Sequence, residues 1–217
     1  MSRLLVQMQT SADGHVEAAD PALQWQLWDW GPNWPWDEEL KRDFNQTFRK
    51  VDRILLSRKM VEEGYIDHWA RIAASHPDEP DFAFARKVGD AEKIVFSTTH
   101  QRGRLRWPRT RWAAGGLAET IAHLKAGPGA DLIAFGGTGF AAALAAAGVV
   151  DEYQLYVNPT AVGRGESLFR SVAGGLRLRL VRSTSYACGI VVNTYTPHAD
   201  GDRPSRPGTG RPVNEGP

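Results

Sequence analysis

A glycine-rich turn, Gly136-Gly-Thr-Gly139, precedes an alanine-rich segment and is the strongest local sign of chemistry in this chain. Its backbone N–H groups are not covered by side chains, and the start of a following helix carries partial positive charge, so an anion is favoured there. Such glycines also let a helix pack closely on a strand, and both interpretations stay open. The spacing is not the G-x-G-x-x-G of a standard NAD site.

Two further segments carry groups suited to phosphate, each after a predicted strand. Ser57-Arg58-Lys59 places two cations at the start of a short predicted helix, where they oppose the helix dipole unless an anion lies there. Ser97 and Thr98 supply hydroxyl groups. A solvated basic turn and a capped turn are the alternatives. With the glycine turn, these segments predict a cleft for NADPH rather than NADH, because a 2′-phosphate is bound by arginine or lysine.

A segment rich in tryptophan, Trp25 to Trp36 (WQLWDWGPNWPW), holds five of the eight tryptophans and is interrupted by Gly and Pro. Flat rings can stack on a flat heterocycle and exclude water from it. We therefore predict that Trp30, Trp34 and Trp36 bind a planar substrate. The alternative is that the rings seal a dimer contact or the end of the core, since tryptophan is also enriched at interfaces.

An alternation of strands and helices is predicted to position these segments. The predicted strands are Leu4 to Met8, Arg53 to Ser57, Lys93 to Thr99, Thr110 to Ala113, Asp131 to Phe135 and Tyr153 to Val157, and the predicted longer helices are Asp37 to Phe48, Leu117 to Ala126 and Phe140 to Ala147. The runs Leu176 to Val181 and Cys188 to Tyr195 predict a final antiparallel hairpin. This pattern indicates an α/β fold with a mostly parallel sheet, whose ligands bind beyond the carboxyl ends of the strands.

Length and composition predict one domain followed by a short tail. The 217 residues suffice for one core, which we place in residues 1–196. In residues 197–217 apolar side chains nearly vanish, so that tail is predicted to be disordered. The net charge of +1 argues against a dedicated nucleic-acid binder, although the cluster from Arg102 to Trp112 keeps a nucleic-acid module as a distant alternative.

The cysteine, histidine and hydropathy patterns indicate the cellular compartment and whether a metal site is expected. The single cysteine, Cys188, fits a reducing compartment, and no apolar stretch is long enough to span a membrane. We therefore expect a cytoplasmic protein that does not contact a membrane. The six histidines have no metal-ligand spacing, so no metal is predicted.

Three blocks of sequence together resemble the dihydrofolate reductase-like proteins, in particular the C-terminal reductase domain of the bifunctional riboflavin biosynthesis deaminase-reductase. They are Ser11 to Gly14, Asp52 to Arg58, and Ile133 to Phe169 with its IAFGGTG, GVVDEYQLYVNP and GRGESLF motifs. The resemblance implies a dihydrofolate-reductase-type sheet, NADPH as hydride donor and a homodimer. By position, it places the pyrophosphate at Gly136, Gly137, Thr138, Gly139 and Phe140 and the adenosine end at Ser57, Arg58 and Lys59, with Ser97 and Thr98 nearby.

The resemblance also implies where the substrate lies. The loop after the first strand, with Ala12 and Asp13, and the helix at Asp37 would approach the nicotinamide and the ring to be reduced. Asp13, Asp37 and Glu166 are the candidate catalytic carboxylates. Asp37 is equally placed to cap its helix, and Glu166 to lie in a surface turn.

The expected reaction is hydride transfer from NADPH to a C=N or C=O carbon of a planar heterocycle, as in 5-amino-6-(5-phosphoribosylamino)uracil reductase. The alternatives are a dihydrofolate or pterin reductase, which requires a working carboxylate, and a nucleotide- or flavin-binding protein without turnover. These 217 residues contain no zinc motif of a deaminase, so we do not expect the bifunctional enzyme itself.

Overall fold

The computed structural model describes residues 1–28, 33–99 and 103–198. The strands are β1 (Leu4–Thr10), β2 (Glu17–Ala18), β3 (Val51–Ser57), β4 (Glu92–Phe96), β5 (Thr110–Trp112), β6 (Asp131–Ala134), β7 (Glu152–Val157), β8 (Gly165–Glu166), β9 (Leu178–Ser185) and β10 (Val191–Pro197). The helices are α1 (Glu38–Arg49), α2 (Arg58–Glu62), α3 (Tyr65–Ser75), α4 (Ala83–Asp90), α5 (Leu117–Ala126) and α6 (Thr138–Ala146), with a 3₁₀ turn at Pro80–Phe82. Two predictions, the substrate role of Trp30 and the tail from residue 199 onward, lie outside the described residues.

Eight of the strands form one sheet in the order β5-β4-β3-β6-β1-β7-β10-β9. The first six strands of this order run parallel, whereas β10 is antiparallel to both β7 and β9. The predicted dihydrofolate reductase-like α/β fold, with a mostly parallel sheet and a C-terminal antiparallel hairpin, is therefore confirmed. Because parallel strands point the same way, the ends of β1, β3, β4 and β6 meet at one edge of the sheet, where the candidate residues lie.

Helices cover both faces of the sheet. The predicted apolar stripe of α1 is buried against one face and consists of Leu40, Phe44 and Phe48. Helices α5 and α6 cover the other face, where Ile121 and Leu144 pack. Strand β1 contributes side chains to both faces of the sheet. Leu5 packs in the core on the α1 face, and its neighbours Leu4 and Val6 pack in the core on the α5 and α6 face.

Helices α3 and α4 are absent from the predicted elements. Their buried side chains do have helical spacing, as with Ile66, Trp69 and Ile72 on α3. Neither helix has a side-chain hydrogen bond at its N-cap, however, and α3 begins after Gly64 in a left-handed conformation with φ 89°. The usual start signal of a helix is therefore missing from both segments. Within the described ranges, no helix combines the length and the apolar character needed to cross a membrane.

Candidate functional site

A cleft of about 480 Å³ opens at the carboxyl edge of the sheet, between the ends of β3 and β4 and the starts of α2, α5 and α6. Its volume falls within the range of roughly 300–1,000 Å³ that is usual for small-molecule sites. The lining residues are Ser57, Arg58, Lys59, Glu62, Phe96, Ser97, Thr98, Thr99, Ala113, Gly115, Gly116, Leu117, Gly139, Phe140 and Ala143. The structure thus brings seven of the ten predicted cofactor-binding residues into one wall.

The glycines of the glycine-rich turn have two different surroundings: Gly136 and Gly137 pack against α2, whereas Gly139 lines the cleft. A Cβ on Gly136 would lie 2.9 Å from Met60 Cε, and one on Gly137, whose φ is 68°, would lie 3.3 Å from Ser57 Oγ. These two glycines let the turn pack closely against the start of α2, as the alternative interpretation held. Gly139 instead lines the cleft, and a Cβ there would meet only ordinary contact, 3.7 Å from Arg170 Nη2.

The start of α6 is an electropositive part of this wall. The first N–H groups of a helix have no partner within the helix. The first turn of α6 contains no acidic residue that would neutralise its partial positive charge. Thr138, the first residue of α6, is not among the lining side chains, but its backbone N–H belongs to this group.

Arg58 is held at the opposite side of the cleft by two polar neighbours. Its Nη1 donates to Thr99 Oγ1 at 3.0 Å, and its Nε lies 3.3 Å from Glu62 Oε1. The Thr99 N–H in turn donates to Ser97 Oγ at 3.2 Å. Lys59 is far more exposed and lies 3.7 Å from Glu63, so Arg58 is the better-positioned cation of the two.

Sequence reasoning missed one part of the cleft and one neighbouring cation. Gly115 and Gly116 line it at the start of α5, and this pair before a predicted helix is the same kind of signal as the turn at Gly136. Arg170 was also missed, since it follows no strand that the sequence predicts. It forms an ion pair with Glu166, and its guanidinium reaches the start of α6 beside Gly139.

A second space, the aromatic cavity, lies on the α1 face of the sheet and has a volume of about 40 Å³. It is lined by Gln7, Gln9, Trp28, Trp36, Phe44, Phe48, Tyr65, Trp69, Phe84, Phe135 and Tyr156. Phe135 is followed directly by the glycine-rich turn, and Phe140 lines the cleft. The short segment from Phe135 to Phe140 therefore contributes one side chain to each of the two spaces.

Three tryptophans of the Trp25 to Trp36 segment, Trp28, Trp34 and Trp36, belong to the aromatic core. Trp36 lines the cavity and stacks on Tyr156, with ring centroids 5.4 Å apart and an interplanar angle of 14°. Trp34 is buried behind it and stacks on Trp28 at 4.7 Å. Packing at the end of the core, one of the two interpretations of this segment, is thus observed, while the substrate role of Trp34 and Trp36 stays a prediction.

Asp37 is the N-cap of α1. Its Oδ1 accepts from the Leu40 N–H at 2.9 Å and its Oδ2 from the Cys188 N–H at 3.0 Å. Partial burial alone would raise the pKa of Asp37, but the two N–H groups outweigh it and hold that pKa below its ordinary value. Both oxygens are therefore committed to structure.

Replacing Asp37 with alanine is expected to lower the free energy of unfolding by about 1–2 kcal/mol, because α1 loses its cap. Asparagine can still accept from Leu40, so Asp37→Asn should retain most of the stability. Since the folded-state pKa is lowered, the advantage of wild type over Asp37→Ala should be full near neutral pH and shrink as the pH falls below about 4. Urea unfolding at pH 7 and pH 3 measures these differences. A stable Asp37→Asn variant without turnover would instead support the predicted catalytic role.

The other candidate carboxylates lie outside the cleft wall and the aromatic cavity. Asp13 accepts from the Ser11 hydroxyl at 2.6 Å and from the N–H groups of Val162 and Gly163 at 3.1 and 2.6 Å, and these bonds hold its pKa well below the ordinary value. It ties the loop after β1 to the loop before β8. The Ala12 N–H strengthens this tie by donating to the Thr160 carbonyl at 2.8 Å.

Glu166 lies in β8 and pairs with Arg170. The catalytic roles of Asp13, Asp37 and Glu166 stay predictions. The part of the chain that the structure describes contains no group of three or more His, Cys, Asp or Glu side chains that could hold a metal ion.

Comparison with known proteins identifies the family. Residues 3–192 match the model of the RibD C-terminal domain, which spans most of the chain. The chain belongs to the RibD C-terminal domain family. The resemblance noted in the sequence is thereby confirmed.

Relatives of this RibD C-terminal domain include the uncharacterized protein YyaP of Bacillus subtilis (strain 168). The two are 23% identical over 201 residues, which cover 89% of this chain and 94% of the relative. A solved structure of a putative riboflavin biosynthesis protein from Shewanella sp. PV-4 has a TM-score of 0.62 and 19% identity, covering 91% of this chain and 99% of that one.

A bifunctional protein from Thermotoga maritima has the same TM-score of 0.62 at 11% identity. That protein is a diaminohydroxyphosphoribosylaminopyrimidine deaminase/5-amino-6-(5-phosphoribosylamino)uracil reductase. The match covers 91% of this chain and 57% of the Thermotoga chain, so the RibD C-terminal domain described here spans little more than half of that protein. At these identities the likeness concerns the fold.

Proposed function

We propose that this member of the RibD C-terminal domain family is an NADPH-dependent reductase of a planar heterocycle, similar to 5-amino-6-(5-phosphoribosylamino)uracil reductase. The observation that carries the proposal is the convergence of seven sequence-predicted residues on one cleft at the carboxyl edge of the sheet. Family membership and the reductase activity named for the Thermotoga protein support the same activity.

The proposed cofactor, NADPH, supplies a hydride that reduces a C=N or C=O carbon of the substrate. The N–H groups at the start of α6 and the Arg170 guanidinium would hold its pyrophosphate. Arg58 would bind the 2′-phosphate, and Lys59 would attract it more weakly. The hydroxyl groups of Ser97 and Thr98 would donate hydrogen bonds to the same end of the cofactor. Residues of this kind fit the cofactor because they combine cations, hydroxyls and free N–H groups around a cleft of suitable size.

The aromatic cavity would orient the ring and keep bulk water away from it. No aspartate or glutamate is found among the described residues that line the cavity. We therefore propose water as the proton source, which leaves orientation as the main contribution of the chain.

The proposal is tested by titrating the purified protein with NADPH and then with NADH while following indole emission and energy transfer to the nicotinamide. Tight binding of NADPH and weaker binding of NADH are expected. Binding without oxidation of NADPH across a panel of heterocycles would favour a non-catalytic nucleotide-binding protein. Binding of neither dinucleotide would overturn the reductase proposal.

Arg58→Ala is expected to weaken NADPH binding by roughly 10- to 100-fold, because a charged hydrogen bond to phosphate is worth about 1.5–3 kcal/mol. NADH lacks the 2′-phosphate, so its affinity should differ by less than about twofold between wild type and Arg58→Ala. Arg42→Ala, which removes an exposed cation of α1, is the matched control. Equal weakening of both dinucleotides by Arg58→Ala would contradict the assignment.

We also propose a homodimer in the cytoplasm, as the resemblance implies. Sedimentation equilibrium of the full chain tests the oligomeric state. A mass of one chain across the micromolar range would count against the dimer.

A further inference from the structure

A third space, the amino-edge pocket, lies at the end of the sheet opposite the cleft and has a volume of about 240 Å³. It opens beside the starts of β3, β4 and β5 and the C-terminal end of α5, and it is lined by Asp52, Arg53, Glu92, Arg109, Arg111, His123, Leu124, Gly127 and Pro128. Strand β3 begins beside this pocket and ends at Ser57 in the cleft, roughly 20 Å away. The amino-edge pocket is therefore separate from the site proposed for the cofactor.

Two buried cations behind the amino-edge pocket are already used by the fold. Arg53 is 5% exposed, and its guanidinium donates to the Leu124 carbonyl at 2.6 Å and to the Ala130 carbonyl at 2.7 Å. Lys93 is 1% exposed, and its ammonium donates to three carbonyls, including that of Val88 at 2.9 Å. The Leu124 and Val88 carbonyls lie in the last turns of α5 and α4, where a helix carries partial negative charge. Both helix ends are thus stabilised by cations from inside the molecule.

The two carboxylates of the pocket are committed as well. Asp52 Oδ1 accepts from Arg53 Nε at 3.1 Å, and its Oδ2 accepts from the Ala130 N–H at 2.9 Å. Glu92 Oε1 accepts from Arg111 Nε at 2.6 Å. Each carboxylate therefore already has its own arginine as counter-charge.

Arg109 and His123 are the basic groups of the pocket that remain. Neither side chain has a hydrogen bond or an ion pair with any residue that the structure describes. Burial, and after it the charge of Arg109, lowers the pKa of Lys93 to about 8. The charge of Arg109 is thus felt inside the protein, and positive charge is in excess on this side of the pocket.

Arg109 is also held in a backbone conformation that arginine rarely adopts. Its φ is 53°, and no other non-glycine residue among those described has a positive φ. In this left-handed region the Cβ crowds the backbone, so the position favours glycine or asparagine. The Arg109 carbonyl accepts from the Lys93 N–H at 2.7 Å beside the pairing of β4 with β5, which fixes the residue at the pocket. A strained residue that presents an uncompensated cation to a pocket indicates a function for its side chain.

We propose that the amino-edge pocket is a second anion site, which binds a phosphate group through Arg109, the Nη groups of Arg111 and the His123 ring. Guanidinium groups bind phosphate oxygens in pairs, and a compact dianion balances the positive charge that the two carboxylates leave. The volume of about 240 Å³ lies below the range of roughly 300–1,000 Å³ that is usual for larger ligands. The ligand is therefore inorganic phosphate or a phosphate ester with few carbon atoms. This inference does not depend on the proposed reductase activity.

The test measures binding of inorganic phosphate and of glycerol 3-phosphate to the full chain by calorimetry, in a buffer without other multivalent anions. Saturable binding is expected in wild type. Because Arg58 is proposed to bind phosphate in the cleft, Arg58→Ala is titrated in parallel and should keep the binding at the amino-edge pocket. Tighter binding of glycerol 3-phosphate would assign the site to a small phosphorylated metabolite, and equal or weaker binding would assign it to inorganic phosphate.

Arg109→Gly is the decisive variant, because it removes the guanidinium and relieves the backbone strain at once. Phosphate should bind at least about tenfold more weakly, as expected for the loss of charged hydrogen bonds. In phosphate-free buffer the variant should unfold at the same urea concentration as wild type or a higher one, which separates lost binding from lost folding. Arg104→Gly removes an exposed cation of the same loop that does not line the pocket, and it should leave the phosphate affinity unchanged.

Two results would overturn the phosphate site. One is the absence of saturable binding of either probe to wild type. The other is binding that Arg109→Gly retains, and its loss in Arg58→Ala would then assign the phosphate to the cleft. Should Arg109→Gly fold poorly, Arg109→Asn replaces it with the same expectation, since asparagine tolerates the left-handed region. NADPH affinity should be equal in Arg109→Gly and wild type, so the outcome leaves the reductase proposal to its own test.

Discussion

Valine in place of Gly139 is expected to abolish NADPH binding while leaving the fold intact. Gly139 lines the cleft at the start of α6, and a Cβ at this position meets only Arg170 Nη2, at an ordinary 3.7 Å. The methyl groups would therefore occupy the space in front of the free N–H groups without straining the backbone. We expect at least about 100-fold weaker binding, which corresponds to about 2.7 kcal/mol.

The stability of Gly139→Val should stay within about 1 kcal/mol of wild type, since valine is somewhat better than glycine in a helix. Gly89→Val in α4 is the matched control, because a Cβ there points into open space away from the cleft. Fluorescence titration with NADPH and urea unfolding of both variants provide the two readouts. A folded Gly139→Val protein with undiminished NADPH affinity would place the cofactor elsewhere.

Replacing Trp28 with alanine is expected to cost about 3–5 kcal/mol of stability, enough to unfold much of a marginally stable domain. Trp28 is 3% exposed, and its ring lies within 6 Å of those of Trp34, Trp36, Phe44 and Phe84. No small rearrangement can fill the space of an indole inside such a cluster, so a cavity remains.

Trp107→Ala is the control for this change. Trp107 is only partly buried, with Arg106 over its ring at 4.7 Å and its Nε1 donating to Asp67 at 2.8 Å. Its loss should cost well under half as much as the loss of Trp28. Urea denaturation followed by far-ultraviolet circular dichroism compares the two variants. Equal destabilisation would mean that the Trp28 cluster is not the principal core of the α1 face.

Periodicity in the sequence was sufficient for the central elements of this fold. The stripe Leu40, Phe44, Phe48 predicts the buried face of α1, and the glycine turn between two apolar runs predicts the unit from β6 to β7. The two-stranded pairing of β2 with β8 could not be predicted, because two residues have no period. The pairing requires the backbones of β2 and β8 to approach closely at Gly165, because a Cβ there would clash with the Glu17 carbonyl.

The candidate site was partly predictable for a similar reason. Strand ends and glycines before helices are local signals, and they identified the wall that contains Ser57, Ser97 and Gly139. Arg170 approaches the site from a distant loop, and the hydrogen bonds of Gln7 and Gln9 in the aromatic cavity depend on partners in β7 and the following residue. Pairings of this kind depend on the sheet order, which periodicity does not specify.

The central position of β1 also has a consequence for synthesis. Both neighbours of β1, β6 and β7, begin at Asp131 and Glu152, about 120 residues or more after β1 ends. Translation adds roughly 5–20 residues per second, so the apolar strand waits on the order of ten seconds for its partners. Ribosome-bound chains stalled before Asp131 should therefore expose Leu4, Leu5 and Val6 and recruit chaperones. Full-length chains released from the ribosome should bury them.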